Sequence, residues 1–175
     1  ISGGTTEALI VIPHNEDIVK ADLVGKTLDL NAGQLVDRVG LMLGLRFPCG
    51  KQLEEYAIKY TEKIKVKPTV KGCDCCLSGV QNIAEKLIKT GAPKEQVSAT
   101  VLKYIEEALY VMTINIFNSY GQMPVLFSGG VMSNSIIRKN LTERLGAFFA
   151  QPEFSTDNSA GIAVLTALKN KEELI

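Results

Sequence analysis

Residues Pro124 to Asn134 read Pro-Val-Leu-Phe-Ser-Gly-Gly-Val-Met-Ser-Asn and switch from a strand pattern to a helix pattern across a glycine pair. Val125 to Phe127 are an apolar, β-favouring run. Ser128, Gly129 and Gly130 break it. Val131, Met132, Ile136 and Ile137 then resume at helical spacing, with Ser133 or Asn134 near the helix start. Glycines let a backbone come close to a ligand, and a following helix offers unpaired N–H groups to an anion. Asn134 can hydrogen-bond through both ends of its amide. The same stretch also reads as an ordinary strand-to-helix turn with structural glycines.

The chain opens Ile1-Ser2-Gly3-Gly4-Thr5-Thr6, followed by the β-like run Ala8 to Ile12. Ser-Gly-Gly thus occurs twice, each time beside an apolar strand. Two glycine turns on one sheet are placed to hold two sides of one nucleotide. If the first turn mirrors the second, its own strand lies upstream of Ile1. A start inside a glycine turn, without an initiator Met, is that of a fragment.

The remaining pattern alternates strands and helices. Ala8–Ile12 and Ile18–Val24 form a hairpin around the polar turn Pro13–Asp17, where the only histidine, His14, is expected to be solvated. Leu35, Val36, Val39, Met42 and Leu43 make a helical stripe from Ala32 to Gly44. Asp37 on that helix is either a solvated charge or a carboxylate that accepts ligand hydroxyl protons. Phe47-Pro48-Cys49-Gly50 is a tight loop before a helix over Gln52–Tyr60. Helices follow at Ser78–Lys89 and Lys94–Ser119, then another after Asn134, a short strand at Ala147–Ala150 and a last helix at Ala160–Asn170. Thr156, Asp157 and Asn158 precede that helix as caps or as ligand-facing residues.

From Thr61 to Gly72 lysines 63, 65, 67 and 71 alternate with other residues. A solvated edge strand or loop is the simpler reading, and a phosphate-tracking surface for RNA the other. Cys73, Cys75 and Cys76 lack the second, distant cysteine pair of a zinc knuckle and read, with Cys49, as reduced structural thiols. The 19 basic and 19 acidic residues cancel, so there is no chain-wide basic field for nucleic acid, although a local patch is compatible. No apolar run reaches membrane-spanning length and no signal peptide is present, so the expectation is a cytoplasmic protein with no membrane partner. At 175 residues, the chain suffices for one domain with a core or two small lobes.

Taken in order, Ser2-Gly-Gly-Thr-Thr, Asp29-Leu-Asn-Ala-Gly-Gln-Leu-Val-Asp37-Arg, Leu43-Gly-Leu-Arg-Phe-Pro-Cys-Gly50, Ser78-Gly79, Ser128-Gly-Gly-Val-Met-Ser-Asn134 and Pro152-Glu-Phe-Ser-Thr-Asp157-Asn158 resemble the C-terminal half of the TsaD family. These are tRNA threonylcarbamoyladenosine transferases, also known as O-sialoglycoprotein endopeptidases or glycoproteases. Any one motif is weak, but six in one order are specific.

The resemblance implies an α/β fold. It would be a ribonuclease-H-like lobe of the actin-like (sugar kinase, Hsp70, actin) ATPase fold, a mixed sheet with flanking helices. Residues 1–175 would form the C-terminal lobe, with 61–123 a helical insertion and the N-terminal lobe absent. It implies a phosphate loop at Ser2, Gly3 and Gly4, and nucleotide contacts at Asp37, Gly50 and Asn134. It implies Asp157 as ligand to one divalent Fe or Zn, whose two histidines would come from the other half. The implied reaction moves threonylcarbamoyl from its adenylate to N6 of adenosine 37 in ANN-reading tRNAs. An adenine nucleotide or acyl-adenylate is then the ligand, and tRNA and a TsaB-type protein are the partners.

Thr5 stands where the family has histidine, Leu30, Asn31 and Gln34 replace Asp, Ala and Glu, Cys49 replaces glycine, and Gln81 replaces lysine. These changes point to a diverged paralogue. The alternative to an acyltransferase half is a non-catalytic nucleotide-binding or partner-docking module. The chain alone is expected to be inactive.

Overall fold

The computed structural model describes residues 1–155 and 159–170. A hairpin comes first. Strands β1 (Glu7–His14) and β2 (Ile18–Lys26) pair antiparallel, His14 opposite Ile18 and Glu7 opposite Lys26, with a bulge between Ala8 and Leu9. The turn is shorter than expected: Pro13 and His14 belong to β1, and the His14 Nδ1 accepts the Asp17 amide at 3.2 Å. The strands run longer than their apolar cores because cross-strand hydrogen bonds extend the ladder into polar residues.

Helix α1 (Ala32–Met42) buries Leu35, Val36 and Val39, the stripe expected from its spacing. Helix α2 (Gly50–Ala57) follows a cis Phe47–Pro48 bond and buries Leu53 and Ala57. It starts and stops earlier than its sequence pattern. Strands β3 (Thr69–Lys71) and β4 (Asp74–Cys76) form a second small hairpin around Gly72. β4 docks on the end of β2, where the Asp74 carboxylate accepts the Lys26 amide at 2.8 Å and the Cys75 carbonyl accepts the Leu28 amide at 2.8 Å. Helix α3 (Ser78–Lys89) packs against both α1 and α4.

Helix α4 (Lys94–Tyr120) is the axis of the molecule, and α1, α2, α3 and α5 (Ser135–Leu145) all pack on it. Its 27 residues extend about 40 Å. Val97, Val101, Leu102, Ile105, Ala108, Leu109 and Met112 are buried along it. One charged residue, Glu106, is buried with them at 1% exposure. Its carboxylate takes hydrogen bonds from Lys103 (2.8 Å), Asn140 (2.6 Å) and Arg144 (3.1 Å). Arg144 also makes a two-pronged pair with Glu107 at 2.6 and 3.1 Å and lies over the Tyr110 ring. Burial acts to raise the Glu107 carboxyl pKa, but the hydrogen bonds from Arg144 and Lys103 outweigh it and hold it below its ordinary value.

Strands β5 (Leu126–Phe127) and β6 (Phe148–Phe149) pair in parallel, and helix α6 (Ser159–Lys169) closes the described chain. The structure is therefore α and β, but the expected mixed sheet is not continuous. Among the described residues the strands form three two-stranded sheets, β1-β2, β3-β4 and β5-β6. Ile1 ties the start of the chain to the residues that follow β5. The Ile1 ammonium donates to the Ser128 carbonyl at 2.7 Å, and the Ile1 carbonyl accepts the Val131 amide at 3.3 Å. Leu9, Val11, Ile12 and Leu23 remain exposed on the hairpin, so its apolar pattern reports surface that the described residues do not cover.

Asp29 ties the first half to α3. Its Oδ1 accepts the amides of Leu30 (2.6 Å), Leu77 (2.7 Å) and Ser78 (3.2 Å), and its Oδ2 accepts the Ser78 hydroxyl at 2.6 Å. Leu77 at the α3 N-cap makes no capping bond of its own, so Asp29 caps that helix from a distance of 48 residues in sequence. Partial burial acts to raise the Asp29 carboxyl pKa, but the Ser78 hydroxyl and the amides of Leu77, Leu30 and Ser78 hold it below its usual range. Asp29→Ala should cost about 1–2 kcal/mol, read by chemical denaturation. Because the folded pKa is depressed, this contribution is present above the unfolded carboxylate pKa of about 4 and disappears as pH falls through the folded value. The gap between wild type and variant should narrow in acid.

Candidate functional site

The Ser2-Gly-Gly turn is a built loop. The Ser2 hydroxyl oxygen accepts the amides of Gly4 and Thr5, both at 3.1 Å, and the Ser2 amide donates to the Thr5 carbonyl at 2.8 Å. Asn31 Nδ2 holds the Gly4 carbonyl at 2.8 Å, and the Ser2 carbonyl accepts the Gly33 amide at 3.0 Å. Thr6, 1% exposed, accepts the Ala32 amide at 2.9 Å and so caps α1. The loop is thereby fixed against the first turn of α1. Gly33 is what allows this contact, since a Cβ there would lie 2.5 Å from the Gly3 nitrogen.

The second glycine turn lies beside the first. Gly129 has φ +102°, and a Cβ on it would strike the backbone of Ile1. The chain then makes a 3₁₀ turn over Gly130–Ser133, and α5 begins at Ser135, directly after Asn134 as expected. Met132 is buried by this turn rather than by the helix. Asn134 is the α5 N-cap, its Oδ1 accepting the Ile137 amide at 3.1 Å. The expectation that Asn134 stands near the helix start describes its place. The two turns are neighbours, but through Ile1 and Ser128 and not on one shared sheet.

Between these turns lies a cavity of about 520 Å³. Gly3 and Gly130 form one end of it; Gly33, Val36 and Asp37 of α1 line one side; Pro48, Gly50, Lys51 and Glu54 line another. Leu102 of α4 and Val131, Ser133 and Asn134 complete it. Of the residues expected at a nucleotide site, Gly3, Asp37, Gly50, Gly130 and Asn134 therefore meet at one place. Ser2, Gly4 and Gly129 hold the loops but do not line it. Asp157 lies outside the described residues.

The lining separates chemically. Val36, Leu102 and Val131 offer an apolar surface. Asp37 is half-buried; its Oδ1 accepts the Cys49 amide at 2.9 Å, and its Oδ2 has no partner among the described residues. Glu54 accepts both the amide and the hydroxyl of Ser135, the amide at 2.7 Å. Lys51 pairs with no carboxylate among the described residues. Such a cavity suits a ligand with a flat apolar ring, vicinal hydroxyls for Asp37 and an anionic group near Lys51 and the glycine amides.

Sequence reading missed Lys51, Glu54, Leu102 and Ser133 at the cavity, and Thr6 and Asn31 behind it. Lys51 and Glu54 fall three residues apart on a helix, and that spacing alone places them on one face.

For a divalent ion, the described residues do not fit. No three side chains of His, Cys, Asp or Glu gather among them. The four cysteines are free thiols, and burial pushes the Cys75 thiol up to about 11, which keeps it protonated and a poor ligand.

Residues 1–164 match the model of the family described as TsaD, tRNA N6-adenosine threonylcarbamoyltransferase. The chain belongs to this family. It is also similar to the Probable bifunctional tRNA threonylcarbamoyladenosine biosynthesis protein of Thermoplasma acidophilum, with 29% identity over 184 aligned residues. That alignment takes in 98% of this chain and 32% of the relative. The chain therefore spans about a third of the length of that relative. No helix among the described residues is long and apolar enough to cross a membrane.

Proposed function

We propose that this chain is the nucleotide-holding C-terminal half of a threonylcarbamoyltransferase acting on tRNA. The observation that carries the reading is the cavity, where Gly3, Asp37, Gly50, Gly130 and Asn134 converge from segments far apart in sequence. The ligand is an adenine nucleotide or the threonylcarbamoyl-adenylate. In the reaction the N6 amine of adenosine 37 attacks the carbamoyl carbon, the new C–N bond forms, the bond to the phosphate oxygen breaks, and AMP leaves as the amine loses a proton. This chain's part is to bind and orient the nucleotide: Val36, Leu102 and Val131 against the base, Asp37 on the ribose, the glycine loops on the phosphate.

The fold behind this proposal is one ribonuclease-H-like lobe with residues 61–123 as a helical insertion. The second lobe would close the open side of the cavity. Asp157 is the chain's own candidate carboxylate for a divalent Fe or Zn completed from outside these residues. The setting is cytoplasmic, with tRNA and a TsaB-type protein as partners.

Titrating AMP and following backbone amide shifts tests the reading. Gly3, Gly50, Gly130 and Asn134 should move together, with weak affinity because one lobe encloses the ligand on one side only. Asp37→Asn keeps an acceptor for the Cys49 amide but loses charge, and it should weaken AMP binding about tenfold. Shifts confined to surface residues away from the cavity would sink the proposal.

A further inference from the structure

The segment 61–71 is unlike any other surface of the molecule. Lys63, Lys65, Lys67, Thr69 and Lys71 are exposed, while Ile64, Val66, Pro68 and Val70 between them are half-buried. That alternation is the period of an extended chain, which sets the four lysines along one outward face over at most about 26 Å. None of the four side chains makes a hydrogen bond or ion pair among the described residues. Carboxylates close to the segment have other partners: Glu62 accepts the Tyr60 hydroxyl at 3.0 Å, Asp74 accepts the Lys26 amide at 2.8 Å, and Glu106 and Glu107 pair with Lys103 and Arg144. Four unneutralised cations in a row repel one another, and folding alone does not reward that arrangement.

Protection of a strand edge does not account for it. Edge lysines guard a strand, and only Lys71 lies within β3. Lys63, Lys65 and Lys67 stand where the chain has no strand to guard, since residues 61–68 make no backbone hydrogen bond among the described residues.

The strip also starts beside the nucleotide cavity. Lys63 lines a second hollow of about 800 Å³ together with Leu102, Ser135 and Lys139. Leu102 lines the first cavity as well, and Glu54 of the first cavity holds Ser135. From there the segment runs along α4 to Gly72, whose carbonyl accepts Asn115 Nδ2 at 2.5 Å.

We infer that Lys63, Lys65, Lys67 and Lys71 form a phosphate-tracking strip that holds the sugar-phosphate backbone of the RNA substrate and leads it to the nucleotide cavity. The inference rests on the proposed tRNA reaction but concerns a surface apart from the cavity. Contacts of this kind position a nucleic acid without reading its sequence, and each releases counterions.

The test is binding of an unmodified ANN-reading tRNA by the full chain as salt is raised. A variant with Gln at 63, 65, 67 and 71 is set beside a charge-matched control with Gln at the exposed Lys20, Lys26, Lys86 and Lys89. The strip variant should bind tRNA about tenfold or more weakly near 0.1 M salt, and its log–log salt slope should be shallower by about 3, while the control stays close to wild type. Both variants should bind AMP as wild type does. Equal losses in the two variants, an unchanged slope in the strip variant, or no tRNA binding by the unaltered chain would each overturn the inference. Failure to bind AMP with a strip-dependent tRNA interaction would instead refute the nucleotide reading and leave the strip standing.

Discussion

Gly33→Ala should destabilise the protein by about 2 kcal/mol and abolish AMP binding, although alanine is the better helix former. In an open helix position the change would stabilise by about 1 kcal/mol. Gly33 is not open. A Cβ there would sit 2.5 Å from the nitrogen and 2.7 Å from the Cα of Gly3, and 2.7 Å from the carbonyl carbon of Ser2. These are backbone atoms of a loop pinned by Asn31 and by the Ser2 hydroxyl, so no side-chain rotation relieves the overlap. Overpacking costs about 1–3 kcal/mol, and the loop shifts before the helix does. Gly79→Ala is the matched control, because nothing lies within 4 Å of a Cβ at that position. It should stabilise slightly and leave AMP binding intact. If Gly33→Ala bound AMP as tightly as wild type, the glycine loop would not be part of the site.

The second large effect belongs to the buried charge on α4. Replacing both Lys103 and Arg144 with Met should cost about 3–5 kcal/mol, because Glu106 at 1% exposure is left with only Asn140. Either single replacement should cost much less, since the remaining cation still reaches both Glu106 and Glu107. Adding Glu106→Leu to the double variant removes the stranded carboxylate and should return part of the loss. Urea denaturation of the four proteins closes the cycle. A double variant no less stable than the sum of the singles would mean that Glu106 does not depend on these two cations.

Local signals carried much of the reading. The helical stripe at Leu35, Val36 and Val39, the long stripe of α4 and the hairpin of β1 and β2 were visible because each follows a single period set by backbone geometry. Hydrogen bonding set the boundaries. The chain after Gly130 makes a 3₁₀ turn before α5 because Asn134 caps the helix at Ser135. The motif residues at Gly3, Asp37, Gly50, Gly130 and Asn134 could be named, but their spacing says nothing of whether they meet. Glu106 had no signal at all and Asp29 stood only as the first residue of a motif, because a charge on an apolar face or in a loop finds its partners only through packing.

The order of motifs from Ser2 to Asn158 was enough by itself to place the chain in its family, because glycine turns and their flanking apolar runs are local requirements written into consecutive residues. Tertiary structure alone decided that the two glycine turns sit side by side through Ile1 and Ser128, that Asp29 caps a helix 48 residues onward, and that Lys51, Glu54 and Leu102 join the cavity. It also decided that, among the described residues, the strands pair off into three small sheets. Each of these depends on contacts between segments remote in sequence, which no local period encodes.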